Sequence, residues 1–256
     1  MAEAVVQSEI SGKKVFFVYP TPSVQNQIIT ELVQHEYEVY SAKDHTRLLR
    51  TIKKYPDSVL FINIDEGMGE QEWERTISGL SATMPDVKIG VFSSTSNEEL
   101  KDKYTNNRHL ACGFMTLKLD MSKTTGKVLD ILNVLNVKGR RKYIRASTER
   151  ETTATINIPF GGDFIKGGIK DISAVGFSCS FERDIALSKN ALIKDIQIRL
   201  QTMLLKVEAI VFGSRSDEGE KIYVLLFTQR IDPDVRVKIR AYVQHNLQAK
   251  MDSEIN

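Results

Sequence analysis

The sequence predicts two domains of different class. An α/β domain built on a (βα)5 parallel sheet is expected over residues 13–135, and an all-β six-stranded barrel with a C-terminal helix over residues 136–256. Three observations carry this. Short apolar runs alternate with stretches of helical spacing through the first half. After Arg145 the apolar period drops from that of a helix to that of a strand. At the end the helical period returns, with Val235, Ile239, Val243, Leu247 and Met251 in one apolar row.

In the first domain, residues 13–19 (KKVFFVY) form an apolar run stopped by Pro20, as expected of a strand buried on both faces. Val24, Ile28, Ile29, Leu32 and Val33 then recur at helical spacing, with Ser23 as the expected cap. Residues 38–41 read as the second strand, and Asp44 opens a helix carrying Leu48, Leu49 and Ile52. Residues 58–64 are the third strand, and a helix over 70–82 presents Trp73, Ile77 and Leu80 on one face. A fourth strand (87–92), a helix (97–104), a fifth strand (111–117) and a closing helix (122–135) complete the series. Such alternation produces a parallel sheet covered on both faces, whose ligands sit at the carboxyl ends of the strands.

Asn136-Val137-Lys138-Gly139 breaks the closing helix, with Gly139 the expected residue at its end or at a flexible joint. Beyond it, strands are expected at 152–159, 164–170, 175–181, 196–200, 204–212 and 221–227. Residues 160–163 form a turn and residues 214–219 a polar hairpin. Short antiparallel strands with these turns point to a small barrel, which removes exposed edges by closing. Asp232 or Asp234 caps the final helix, expected to pack on the barrel or on a partner helix.

The net charge of +2 excludes a molecule that binds nucleic acid by its overall field. Basicity is local: residues 138–150 hold Lys138, Arg140, Arg141, Lys142, Arg145 and Arg150 against Glu149 alone. A small anion suits that pattern better than a long polyanion. Cys112 and Cys179 lie in opposite halves and suggest no disulfide framework, which fits a reducing compartment. No apolar run reaches membrane-spanning length and the N-terminus lacks a signal-peptide pattern, so a cytoplasmic location is expected. His35, His45, His109 and His245 are scattered without metal-ligand spacing, and no metal or cofactor is expected. Neither domain brings a nucleophile, base and orienting group together in sequence, so catalysis is not expected.

The chemistry concentrates in two stretches. Arg141 and Arg145 form R-x-x-x-R with Arg140 directly before them, and Asp171, Ser173 and Gly176 form D-x-S-x-x-G one hairpin later. A guanidinium can pair bidentately with a phosphate or with guanine O6 and N7, and can stack on a base. A carboxylate at Asp171 can accept from the guanine N1–H and N2–H₂ donors, and the Ser173 hydroxyl can donate or accept. Gly176 permits close backbone approach. Alone, an arginine pair fits a solvated strand face, and an Asp-Ser-Gly set fits an ordinary turn. Their order and single-hairpin separation in an all-β context favour a guanine nucleotide site.

This ordered pair of motifs resembles the PilZ family. The resemblance implies a barrel with a C-terminal helix over 136–256, the linker and arginine motif being 136–146. It also implies cyclic di-GMP (c-di-GMP) as ligand, held by Arg140, Arg141, Arg145, Asp171, Ser173 and Gly176. Arg140 occupies the place of a basic residue that accompanies an intercalated c-di-GMP dimer, so two ligand molecules per chain are expected. Such receptors signal without catalysis, through a protein partner, in processes such as motility. The first domain is similar to the receiver domain of response regulators, but departs from it where phosphotransfer would occur. Tyr19-Pro20-Thr21 stands in place of the acids after the first strand, and Asn63 in place of the acceptor aspartate. Ser93 or Ser94 and Lys118 fit the family's hydroxyl and lysine positions. A pseudo-receiver that contacts a protein partner is the expectation. Two alternatives stay open: phosphorylation at Asp65, and a single-strand nucleic-acid module using Tyr143 and the arginines. A flavin site at the loop 20–23 is disfavoured because the loop lacks glycine.

Overall fold

Five short strands make the expected parallel sheet: β1 (Val15–Val18), β2 (Val39–Ala42), β3 (Val59–Asn63), β4 (Lys88–Ser93) and β5 (Gly113–Thr116), in spatial order β2-β1-β3-β4-β5. Each neighbouring pair is parallel. The computed structural model describes residues 12–117, 120–148 and 153–255. Within these, one compact unit runs to Lys142 and includes the segment from Leu247 onward, and the other is Tyr143–Asn246.

The period-2 alternation of the strands feeds two apolar clusters in the first unit. Phe16, Val18, Leu60 and Ile62 join Leu48, Trp73 and Ile77 in one, while Val15, Phe17, Val59 and Phe61 join Ile28, Leu32 and Val128 in the other. β3 is buried along its whole length, as a strand covered on both faces must be. Asp44 caps its helix as expected, accepting from the Arg47 N–H at 3.0 Å. Ser23 makes no such bond. The first helix starts as a π-helical stretch, Val24–Ile29, whose Val24 N–H donates to the Thr21 hydroxyl at 3.3 Å. The closing helix, Met121–Val134, ends through Asn136 rather than Gly139. Asn136 takes the left-handed conformation (φ 49°) and the Val137 N–H reaches back to the Leu132 carbonyl at 3.1 Å. Val137 is then buried in the core, and its carbonyl accepts from the Lys13 N–H at 2.8 Å.

The second unit is a barrel. β7 (Ala154–Phe160), β8 (Asp163–Ser173), β9 (Gly176–Phe181), β10 (Leu192–Leu200), β11 (Met203–Asp217) and β12 (Glu220–Phe227) pair in the order β8-β7-β10-β11-β12-β9. Pairing of β9 with β8 closes the ring of six. A short strand, β6 (Arg145–Ser147), adds antiparallel to the end of β8. Residues 214–217 are strand rather than turn: Ser214 to Asp217 pair with Tyr223 to Glu220, leaving only Glu218 and Gly219 at the tip. Their polarity reflects exposure, since a ladder's hydrogen bonds do not depend on apolar side chains.

The last helix, Pro233–Ile255, starts where Asp232 Oδ1 accepts from the Asp234 N–H at 2.8 Å. Its apolar row does not serve the barrel throughout. Met251 is buried in the first unit's core beside Trp73 and Leu48, with Leu247 and Ile255 against the same cluster. Gln248 completes the docking. Its Oε1 accepts from the Ser41 N–H and its Nε2 donates to the Ser41 carbonyl, both at 2.9 Å. Because β2 is an edge strand, that carboxamide supplies the pairing a further strand would give. Tyr55 adds a hydrogen bond from its hydroxyl to Glu254 at 2.7 Å.

Replacing Gln248 by alanine removes both bonds to Ser41 and is expected to cost roughly 1–3 kcal/mol. The Ser41 amide should then exchange with deuterium faster while amides of β3 keep their protection. Unchanged exchange at Ser41 would contradict the edge-capping role.

Candidate functional site

The D-x-S-x-x-G motif is built on the hairpin joining β8 to β9, and the second motif arginine on β6. Directly opposed residues of antiparallel strands project to the same side. The register places Ser147 opposite Asp171, and Asp171 opposite Ser178. In the next row Arg145 lies opposite Ser173, and Ser173 opposite Gly176. Four of the six motif residues therefore fall in two adjacent rows on one side of three strands. A bulge between Ile169 and Asp171 sets this phase; without it Asp171 would not face Ser178.

Within this cluster Arg145 Nη1 lies 3.6 Å from Asp171 Oδ1, with the arginine side chain 48% exposed and the aspartate 25%. That is an ion pair beyond hydrogen-bonding distance. The other carboxylate oxygen, Oδ2, accepts a hydrogen bond from the Ser178 hydroxyl. Ser173 is 3% exposed, and its hydroxyl donates to the Gly176 carbonyl at 3.1 Å while accepting from the Val175 N–H at 3.4 Å. It fixes the turn and retains one acceptor lone pair. Gly176 is required by its surroundings: a Cβ there would stand 2.3 Å from the Leu225 carbonyl oxygen. The close backbone approach that the glycine permits is thus made first by β12. Burial and the Asp171 charge together push the Cys179 thiol up, so it stays protonated.

Arg140 and Arg141 are exposed and are grouped with the first unit, just before Tyr143 begins the second. The structure thus gathers Arg145, Asp171, Ser173 and Gly176 within the barrel, and leaves Arg140 and Arg141 in the segment that leads to it. Arg150, part of the basic stretch, lies outside the described residues. Ser178 and Ser147 are absent from the sequence-level candidate set. The signal for both is parity: each sits two residues from a motif position on the same strand, but only the register shows that they flank Asp171.

The carboxyl edge of the first sheet is occupied by its own side chains. Asn63 Nδ2 donates to the Tyr19 carbonyl at 3.0 Å, and the Asp65 N–H donates to Asn63 Oδ1 at 3.2 Å. Tyr19 (φ 51°) packs its ring against Gly67 and edge-on to Trp73, with its hydroxyl 2.8 Å from His45 Nδ1. Asp65 is spoken for at both oxygens. Oδ1 accepts from the Ser93 hydroxyl at 2.6 Å, and Oδ2 from the Ser94 N–H at 2.7 Å and the Ser94 hydroxyl at 2.6 Å. Partial burial tends to raise its pKa, but these three donors outweigh that and hold the carboxyl below its ordinary value. Lys118 lies outside the described residues. Among the described residues, no group of three His, Cys, Asp or Glu is placed to hold a metal ion. None of their helices is long and apolar enough to cross a membrane.

No family model and no curated protein matches this sequence. Solved structures match parts of it. The PilZ domain with c-di-GMP of YcgR from Escherichia coli is 16% identical over 44% of this chain and 98% of that chain, with a TM-score of 0.37. The inhibitor of motility MotI from Bacillus subtilis is 18% identical over 44% of this chain and 52% of that one, with a TM-score of 0.37. A response regulator from Thermotoga maritima is 16% identical over 48% of this chain and 98% of that chain, with a TM-score of 0.40. Of MotI, as of the complex of YcgR with c-di-GMP, the match spans only about half the length (52% and 51%).

Three outcomes are expected. Incubation with acetyl phosphate and Mg²⁺ should leave the intact mass unchanged, and an adduct at Asp65 would overturn the pseudo-receiver reading. Since the folded pKa of Asp65 is depressed, its stabilisation is present above the unfolded carboxyl's pKa and is lost as pH falls through the folded one. Asp65→Asn should therefore remove part of the acid limb of the stability profile. Gly176→Ala should lower the barrel's stability by about 1–3 kcal/mol through overpacking, measured by denaturant unfolding without ligand.

Proposed function

We propose that this chain is a non-enzymatic c-di-GMP receptor whose site is Arg140, Arg141, Arg145, Asp171, Ser173 and Gly176. The observation that carries the reading is the placement of Arg145, Asp171, Ser173 and Gly176 on one side of β6, β8 and β9. There a guanidinium and a carboxylate stand side by side and incompletely paired. c-di-GMP needs that combination. Its phosphodiesters and guanine O6/N7 edges call for arginine forks, and its N1–H and N2–H₂ donors call for a carboxylate. The basic segment from Lys138 to Arg145 runs directly into β6, so both chemistries are supplied by neighbouring parts of the chain.

Arg140, preceding Arg141, gives a further guanidinium for a second ligand molecule, as an intercalated dimer requires. Val137 is fixed in the first unit's core and Arg145 in the barrel's β6. A ligand gripping the arginines would therefore order the intervening residues, and this segment ordering is the signalling step we favour. The receiver-like unit then presents a changed surface to a protein partner, in motility or surface behaviour, in the cytoplasm.

Titration calorimetry with c-di-GMP tests the reading. The wild-type chain should bind at a ratio of two, and Arg141→Ala and Arg145→Ala should each weaken binding by roughly 1.5–3 kcal/mol or more. Wild-type affinity in both variants would defeat the assignment. A steep salt dependence with single-stranded oligonucleotides and no preference for guanine would point instead to a nucleic-acid module.

A further inference from the structure

We infer that Ser178 is a positioning residue that holds the Asp171 carboxylate in its guanine-accepting orientation and away from Arg145; this rests on the c-di-GMP reading above. Ser178 is 3% exposed on β9, and a buried hydroxyl must find a partner. The partner is Asp171 Oδ2, directly across the strand pair. Val224, the neighbour of Ser178 on the other side, is apolar.

The consequence follows from what the carboxylate would otherwise do. Arginine and aspartate on adjacent strands tend toward a bidentate fork, with two parallel N–H···O bonds below 3 Å. Here the pair stops at 3.6 Å, between Nη1 and Oδ1, although the arginine is half exposed. The Ser178 bond fixes the plane of the carboxylate by engaging the oxygen remote from Arg145. Arg145 then keeps its donors for a phosphate or a guanine edge, and Oδ1 keeps acceptor capacity for a guanine N–H. Without the hydroxyl, the carboxylate turns into the guanidinium, and each group satisfies the other instead of the ligand. Ser178 touches no ligand in this scheme. It acts through Asp171.

The test compares Ser178→Ala, Ser178→Thr and Asp171→Ala in the full chain, with c-di-GMP and c-di-AMP as probes and thermal unfolding as a control. Ser178→Ala should weaken c-di-GMP binding about 10-fold, the size of one charge-assisted hydrogen bond. The ratio of c-di-GMP to c-di-AMP affinity should fall with it, because the lost orientation serves the guanine edge alone. Ser178→Thr, which keeps the hydroxyl, should restore both. If Asp171→Ala loses affinity while Ser178→Ala binds as the wild type does, the inference fails and the site stands. Equal weakening by Ser178→Ala and Ser178→Thr, with selectivity unchanged, shows a packing role and also overturns it. A wild-type chain that does not bind c-di-GMP removes the site and the inference together.

Discussion

The pairing of β8 with three neighbours is the constraint on which the barrel and its candidate site both depend. Its first part pairs with β7, its last residues pair with β6, and its other edge pairs with β9 to close the ring. Closure gives each of the six strands a paired neighbour on both sides. It also fixes side-chain phase. The bulge between Ile169 and Asp171 turns Asp171 toward Ser178 while Ile172 and Phe177 stay in the core. A one-residue slip would invert the set, sending Asp171 inward and Ile172 outward, at a cost of several kcal/mol for the buried charge alone.

Magnitudes separate structural from functional roles among the motif residues. The Arg145–Asp171 pair is partly exposed and 3.6 Å long, so it contributes about 0–1 kcal/mol to stability. The fold does not need it, which leaves both groups available for a ligand. Gly176 and Ser173 are different. Gly176 is demanded by the Leu225 carbonyl, and the Ser173 hydroxyl is engaged in the hairpin. These two would stay in place for the sake of the barrel even without a ligand. One short motif thus carries both the hairpin that builds the candidate site and the carboxylate on which its proposed chemistry rests.

The first unit shows the opposite arrangement at the edge where a parallel sheet ordinarily places its ligands. Tyr19, Asn63, Asp65, Ser93 and Ser94 satisfy one another, so the polar groups there are consumed by internal bonds. What this unit offers instead is surface and an edge strand, the latter covered by Gln248 from the last helix. A strand edge left open invites pairing with other chains. A single glutamine suffices because both of Ser41's backbone groups point the same way, as in any parallel strand.

Local physics made much of this legible in the sequence alone. Short continuous apolar runs identified the five strands of the sheet, which are buried on both faces, and stretches of period 3.6 identified their helices. Turn chemistry at Gly161 and Gly162 and alternation in the second half identified the barrel. Residue types and spacing marked Arg140, Arg141, Arg145, Asp171, Ser173 and Gly176 as a candidate set, of which strand pairing gathers the last four. Tertiary structure decided what depends on pairing across the chain. That includes β6, too short to carry a pattern, and the strand character of residues 214–217, whose polarity reads as a turn. It also includes the partnership of Ser178 with Asp171, and the docking of Met251 and Gln248 on the sheet unit. In each case the deciding contact lies across a strand pair or between segments far apart in sequence, and periodicity along one segment holds no record of what lies across from it.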